Sequence, residues 1–306
     1  MKRRLLFHRD FREYTGGHGK VWDYFRHAAE HPAWQASIFL TAASVQQHNP
    51  WRAESIQAQP SWAPERASAL FLGGLDWSAY QHDDPAKPVI NLVQHVRHAD
   101  PGSPLRQHLS RRAIRICVSQ AVAEAIAGTG LVNGPVRVIP AALDLAALPQ
   151  PAKVRSGIFV GATKQPALGR SLCEQLRALG CEVTLVDRWL PRARYLELLA
   201  RCRVAVLLPT ATEGFFLPGL EAMALGCATV VPDCIGNREY LQPGINALSP
   251  VAELDALVAA VISLDAPDRA AGLAAAGTAT AAGFTLERER LAFHAILDEL
   301  EHLWTS

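Results

Sequence analysis

The sequence lacks three features that would set its class at once. No apolar run in its 306 residues approaches the roughly 18 residues of a membrane-spanning helix. The basic segment Met1–Arg9 has only a short apolar run before charge resumes, so it predicts a first strand and not a signal peptide. The six cysteines include no C-x-x-C pair. This pattern argues against a disulfide framework or zinc site and predicts reduced core thiols in a cytoplasmic protein.

Charge of one sign is not in excess either, with 30 Lys and Arg against 29 Asp and Glu. This balance argues against nucleic acid as the main partner, because phosphate-backbone binding needs a basic face. Residues 1–150 carry 16 basic and 12 acidic side chains and nine of the eleven histidines, whereas residues 151–306 carry 14 and 17. The N-terminal half therefore either meets an anionic partner or carries ordinary solvated charge.

Short apolar runs alternate with helical patterns along the chain, which is typical of βαβ units and parallel sheets. Strands are predicted at 4–8, 36–41, 68–73, 88–94, 113–118, 135–139, 156–161, 182–187, 203–208, 228–231 and 245–248. Helices are predicted at 19–30, 103–110, 119–128, 269–282 and 286–303, and residues 41–66 form an irregular excursion. A segment with two prolines at 148–151 marks the boundary. The predicted domains are 1–148 and 149–284, followed by a C-terminal helix in 285–306.

The most informative segment reads EGFFLPGLEAMALG, from Glu213 to Gly226. Pro218 suits the first position of a helix and Gly226 the residue after its end, which predicts a helix over about 218–225. The carboxylate of Glu221 then leans towards the helix N-terminus, where it could accept two hydrogen bonds from a diol. Because a buried-strand pattern precedes Glu213, the segment lies at the ligand-facing edge of an α/β sheet. The alternative is an ordinary capped helix with surface carboxylates.

This segment resembles the Glu-x7-Glu signature of GT-B glycosyltransferases, especially the family-4-like, mostly retaining enzymes of group 1. The resemblance implies an α/β fold with two Rossmann-like domains facing each other across a cleft. It further implies that the second domain binds a nucleotide sugar, the first binds the acceptor, and the terminal helix crosses back to the first. By the same resemblance, Glu221 binds the ribose hydroxyls and Glu213 lies beside the donor sugar. Phe215, Phe216 and Leu217 are expected at the donor.

Two segments of the first half are further candidates. His95 ends the predicted strand 88–94 and matches the family position that reaches the donor sugar, with His98 as the reserve candidate. Gly16 and Gly17 lie in a glycine-rich loop before the first helix, where backbone N–H groups could approach the donor phosphates. The other interpretation of that loop is a tight turn with an exposed Lys20.

The positive charge for the leaving diphosphate departs from the family pattern. The family usually places an Arg and a Lys shortly after the first strand of the second domain, whereas this sequence has Lys164 and no adjacent Arg. Lys164 is therefore predicted to bind the donor, with Arg170 or Arg188 as substitutes. Solvated surface charge is the alternative for all three.

We expect a glycosyltransferase that moves a sugar from a UDP-, GDP- or dTDP-sugar to a carbohydrate, lipid-linked or small-molecule acceptor, with retention. The resemblance implies a role in polysaccharide biosynthesis and no cofactor or metal. The expected location is cytoplasmic, and peripheral contact of the N-terminal domain with the inner membrane face stays open. Two other classes also stay open: a catalytically silent GT-B subunit that binds a sugar or a partner protein, and a sugar-nucleotide epimerase or hydrolase.

Overall fold

The computed structural model describes residues 2–52, 56–81 and 84–305. They divide into two compact units: unit 1 contains residues 1–141 and 286–306, and unit 2 contains residues 142–285. The strands of the described residues are β1 (Arg3–Arg9), β2 (Trp34–Leu40), β3 (Ala69–Gly73), β4 (Val89–Val93), β5 (Ile114–Cys117), β6 (Val136–Val138), β7 (Ile158–Gly161), β8 (Val183–Val186), β9 (Val204–Leu207) and β10 (Ala228–Val230). The α-helices are α1 (Gly16–Glu30), α2 (Gln120–Ala127), α3 (Pro166–Ala178), α4 (Arg192–Leu199), α5 (Leu217–Ala224), α6 (Leu254–Ile262), α7 (Pro267–Ala281), α8 (Leu286–Asp298) and α9 (Leu300–Thr305).

Each unit is built on a parallel sheet. Within the described residues, six strands of unit 1 follow the order β2-β1-β3-β4-β5-β6, and four strands of unit 2 follow the order β10-β9-β7-β8. Strands β3, β4, β5 and β9 are buried along their whole length, as expected for parallel strands covered on both faces. The α/β fold class predicted from the sequence is therefore confirmed.

One predicted strand is wrong. Residues 245–248 form no strand, and they take part only in isolated bridges, from Leu248 to Val230 and from Ala247 to Pro243. The neighbouring backbone instead forms a turn in which the Asn246 side chain accepts from the Gln242 N–H and donates to the Tyr240 carbonyl. The side chain of Asn246 thus replaces ladder hydrogen bonds, a use of Asn that competes with secondary structure.

The predicted glycine-rich loop is a helix start. Thr15 caps α1 by accepting the His18 N–H at 3.3 Å, and the helix begins at Gly16. Lys20 is neither an exposed turn residue nor available to a phosphate, because it is buried and forms ion pairs of 2.8 Å with Asp23 and with Glu289. The sequence prediction placed a loop here because it read the three glycines as a turn and did not identify Thr15 as the N-cap of the helix.

Two other segments depart from the predicted helices. Of residues 103–110, only 106–110 are helical, as a 3-10 turn. The predicted helix 286–303 is interrupted after Asp298 and resumes as α9. Short 3-10 turns also occur at Pro50–Arg52 and Pro64–Arg66, inside the predicted irregular excursion. Residues 53–55 of that excursion lie outside the described part.

The C-terminal segment belongs to unit 1. Glu289 of α8 contacts Lys20 and His27 of α1, and the Trp304 carbonyl of α9 accepts from Arg112. Unit 2 begins at residue 142, before the predicted boundary at 148/149. A hydrogen bond of 3.0 Å from the Leu143 N–H to the Phe284 carbonyl fixes the first residues of unit 2 to its last ones.

Two predicted absences can be compared with the structure. Within the described residues, no helix combines the length and apolar character that a bilayer span requires. All six cysteines fall in the described part and are unpaired there, five of them buried.

Candidate active site

The C-terminal edge of the unit 2 sheet holds Glu213. This residue lies in the loop between β9 and α5, and only 7% of it is exposed. Its Oε1 accepts from the Thr210 N–H at 3.2 Å and the Thr210 hydroxyl at 2.6 Å, and its Oε2 lies 2.5 Å from Nζ of Lys164. Burial alone raises the pKa of Glu213, but the bonds from Lys164 and Thr210 outweigh it and lower that pKa. Glu213 is therefore an ionised carboxylate at neutral pH.

A glycine in the loop after β10 makes this arrangement compact. A Cβ on Gly236 would lie 2.9 Å from the Glu213 Cβ and 2.9 Å from the Phe215 nitrogen. The two loops are joined because the Phe216 N–H donates to the Gly236 carbonyl at 3.0 Å. The loop that contains Gly236 thus packs directly on Glu213. Residue 236 tolerates no side chain without a shift of backbone.

Glu221 lies one turn into α5 and is 2% exposed. Its Oε1 is 2.5 Å from Nη1 of Arg192, the first residue of α4. The Tyr195 hydroxyl is close to both: burial, followed by the charge of Glu221, raises the Tyr195 pKa, and Arg192 opposes this rise. A Cβ on Gly161 would lie 3.0 Å from that hydroxyl. This contact places the Arg192–Glu221 pair near the end of β7, where Lys164 also follows.

The structure brings Glu213 and Lys164 together. It does not bring Arg170 or Arg188, the expected substitutes for Lys164, to either motif carboxylate. Arg170 is paired with Asp187 on the surface at 2.7 Å, and Arg188 is exposed in the loop after β8. Besides Lys164, the cation that contacts a motif carboxylate is Arg192, which the sequence prediction missed. A signal was present, because Arg192 follows a Leu-Pro step that begins a helix after a strand. Such helix starts lie at the ligand-facing edge of a parallel sheet.

The three apolar residues expected at the donor pack within unit 2. The Phe216 side chain is buried, with the Lys164 Nζ 5.7 Å from the centre of its ring. The Phe215 ring contacts those of Tyr240 and Phe284, and Leu217 packs on the same cluster. Phe216 and Phe215 therefore anchor the loop that carries Glu213, and a direct contact with the donor stays a prediction for all three residues.

The unit 1 candidates lie at the C-terminal edge of its own sheet. His95 follows β4, and its Nδ1 accepts the Arg97 N–H at 3.1 Å. The neutral imidazole then carries its proton on Nε2, which makes that atom a hydrogen-bond donor. Neighbouring Gln94 donates to the Gly17 carbonyl at 3.2 Å, so the end of β4 and the first turn of α1, with Gly16 and Gly17, lie side by side.

The reserve candidate His98 is poorly suited to the reaction. It is 6% exposed, and burial together with the nearby Arg97 lowers its pKa to about 3. His98 is a neutral interior residue, whereas His95 is partly exposed. Of the two histidines, only His95 is both partly exposed and able to donate a hydrogen bond from a defined atom, Nε2.

Within unit 2, the sheet edge therefore presents two carboxylates with seven residues between them in the sequence, each held by a cation. Carboxylates accept hydrogen bonds from hydroxyl groups, and Lys and Arg attract phosphate oxygens. The described residues contain no group of three or more His, Cys, Asp or Glu side chains arranged to hold a metal ion.

Comparisons with known proteins agree with this geometry. Residues 136–266 match the family model described as Glycosyl transferases group 1. A sequence comparison with curated proteins gave no match. Among solved structures, sucrose-phosphate synthase from Thermosynechococcus elongatus is similar with a TM-score of 0.69 and 14% identity, covering 98% of this chain and 100% of that one. HepE from Anabaena, in complex with UDP and glucose, has a TM-score of 0.72 and 16% identity over 96% and 99% of the two chains. A glycosyltransferase from Rickettsia africae has a TM-score of 0.68 and 12% identity over 97% and 98%.

These likenesses establish the fold as GT-B, as the sequence predicted. The family match likens residues 136–266 to glycosyltransferases of group 1, a class that moves a sugar from a nucleotide-sugar donor to an acceptor. The narrower family-4 assignment is compatible with this match and stays a prediction.

Proposed function

We propose that the enzyme transfers a sugar from a UDP-sugar to a carbohydrate or lipid-linked acceptor, with retention of anomeric configuration and without a metal. The observation that carries the proposal is the pair of cation-held carboxylates, Lys164–Glu213 and Arg192–Glu221, at one sheet edge of unit 2. UDP is the proposed nucleotide because the similar HepE structures contain UDP or UDP-glucose. GDP- and dTDP-sugars are the competing donors.

The roles follow from charge and position. Glu221 accepts hydrogen bonds from the ribose, and Lys164 stabilises the leaving diphosphate, whose negative charge grows as the glycosidic bond breaks. Glu213 carries a negative charge that can steady the positive charge developing at the anomeric carbon. Lysine and arginine side chains can meet the diphosphate charge directly, which supports the proposal of a metal-independent reaction.

Retention is proposed from the motif around Glu213. An inverting enzyme needs a general base that deprotonates the acceptor opposite the leaving group. The bonds from Lys164 and Thr210 outweigh burial and lower the pKa of Glu213, which makes it a weak base beside the proposed donor site. NMR of the product should show the anomeric configuration of the donor. An inverted product would refute the retaining mechanism and leave the donor assignment intact.

The function is tested with UDP-, GDP- and dTDP-sugars, each with and without a panel of acceptors. We expect acceptor-dependent release of UDP in the wild type and a lower kcat in Lys164→Ala. Arg170→Ala is the matched control, because it removes a surface cation paired with Asp187. Conversion without acceptor would indicate an epimerase or hydrolase, and nucleotide binding without turnover a silent subunit.

A further inference from the structure

Arg192 brings a second functional group to Glu221. The two residues lie on different helices, α4 and α5, and their side chains meet at 2.5 Å. The Glu221 side chain is 3% exposed and that of Arg192 is 41% exposed. The carboxylate is thus fixed by the protein, while part of the guanidinium is open to solvent.

The pair combines complementary hydrogen-bonding groups. An ionised carboxylate only accepts hydrogen bonds, and a guanidinium only donates them, with five N–H groups in a rigid fork. Each hydroxyl of a vicinal diol both donates and accepts. A hydrogen-bond acceptor placed beside a hydrogen-bond donor therefore matches two adjacent hydroxyls better than either group alone.

Resting on the proposed function, we propose that Arg192 and Glu221 together form a diol-binding pair that recognises the ribose of the donor nucleotide. Glu221 accepts from the 3′ hydroxyl of the ribose, and Arg192 donates to the oxygen of the 2′ hydroxyl while keeping its bond to Glu221. Lysine would not serve equally, because it is a point charge without a planar fork. Arg192 is then a ribose-binding residue, and the leaving diphosphate is left to Lys164.

This assignment predicts which class of nucleotide-sugar donor the enzyme prefers. A 2′-deoxyribose lacks one of the two hydroxyls, so a site built for the diol leaves a polar group without its partner when a deoxynucleotide binds. The enzyme should then favour ribonucleotide donors such as UDP- and GDP-sugars over dTDP-sugars. The discrimination lies in the sugar of the nucleotide and not in its base.

The test compares the binding of UDP with that of 2′-deoxy-UDP by isothermal titration calorimetry. The wild type should bind UDP about 10-fold more tightly, the factor that corresponds to about 1.4 kcal/mol and to one lost hydrogen bond. In Arg192→Ala and Arg192→Met the ratio should fall to about 2-fold or less. Arg194→Ala is the matched control, because Arg194 lies on the same helix and pairs with Glu197 on the surface. Its ratio should equal that of the wild type.

Several results would overturn the proposal. A folded Arg192 variant that keeps the wild-type ratio excludes Arg192 from ribose recognition. A variant whose affinity for UDP and for 2′-deoxy-UDP falls by the same factor assigns Arg192 to the diphosphate instead. A wild type that binds both nucleotides equally refutes a diol site, and one that binds neither refutes the proposed donor itself. Arg192→Met keeps an apolar stem of similar length and decides the matter if Arg192→Ala fails to fold by circular dichroism.

Discussion

Replacing Glu213 by Gln should tighten the binding of UDP although it slows the reaction. In the structure Lys164 is held by Glu213 at 2.5 Å, so a diphosphate that binds Lys164 competes with that carboxylate. Glutamine keeps the shape and an oxygen that can accept from the Thr210 N–H, but it removes the negative charge. Lys164 is then released to the ligand, and the charge of the site rises by one.

The size of the effect follows from exposure. The Lys164 side chain is 43% exposed, and ion pairs open to solvent contribute about 1 kcal/mol or less. Release of Lys164 should therefore lower the Kd of UDP by at most about fivefold. The kcat should fall, because the negative charge beside the reacting sugar is lost.

Calorimetry with UDP and steady-state kinetics measure the two effects separately. Asp187→Asn is the matched control, because it removes a carboxylate from a surface pair with Arg170 and should leave both constants unchanged. A Glu213→Gln protein that binds UDP more weakly than the wild type would refute the argument, since Glu213 would then support the nucleotide and not compete for Lys164.

Three further predictions concern other residues. Glu221→Ala should raise the donor KM by about 10-fold or more through the loss of charge-assisted bonds, and unchanged donor affinity in a folded protein would exclude Glu221 from the ribose. His95→Ala should lower kcat more than donor affinity, and kinetics showing the reverse would make His95 a ground-state binding residue. Glu289→Gln should cost about 3 kcal/mol of unfolding free energy, because Lys20 loses a buried partner. Burial raises the Glu289 pKa, but Lys20 and His27 outweigh it and lower that pKa below the usual 4.5. The stability difference from wild type should therefore be full above pH 4.5 and shrink as the pH falls through the folded-state pKa. A difference that does not change with pH in urea titrations would contradict this ionic origin.

The strand pattern could be predicted from sequence because buried parallel strands are apolar on both faces. β3 and β9, for example, lie within two residues of their predicted ends. The helix after Glu213 was predicted at 218–225 and is found at Leu217–Ala224, because Pro218 and Gly226 mark its ends locally. Residues 245–248 were misassigned because the Asn246 hydrogen bonds that stop the strand involve Tyr240 and Gln242, and hydrophobic periodicity does not report such bonds.

The site was predictable where it depends on one continuous motif and not where it depends on long-range pairing. Glu213 and Glu221 come from a single segment. Arg192 reaches Glu221 from another helix, and the sequence gives no direct sign of that contact. Lys20 was misassigned for the same reason, because its partner Glu289 lies 269 positions further along the chain.

The contact between Lys20 and Glu289 also bears on how the chain acquires its structure during synthesis. Unit 1 is assembled from both ends of the sequence, whereas unit 2 is one continuous stretch between them. A ribosome makes the chain from its N-terminus, and domains generally fold as units when their residues become available. Residues 142–285 can therefore fold while unit 1 still lacks α8, and until then the ammonium of Lys20 keeps its water. We expect unit 1 to complete last, when translation delivers Glu289.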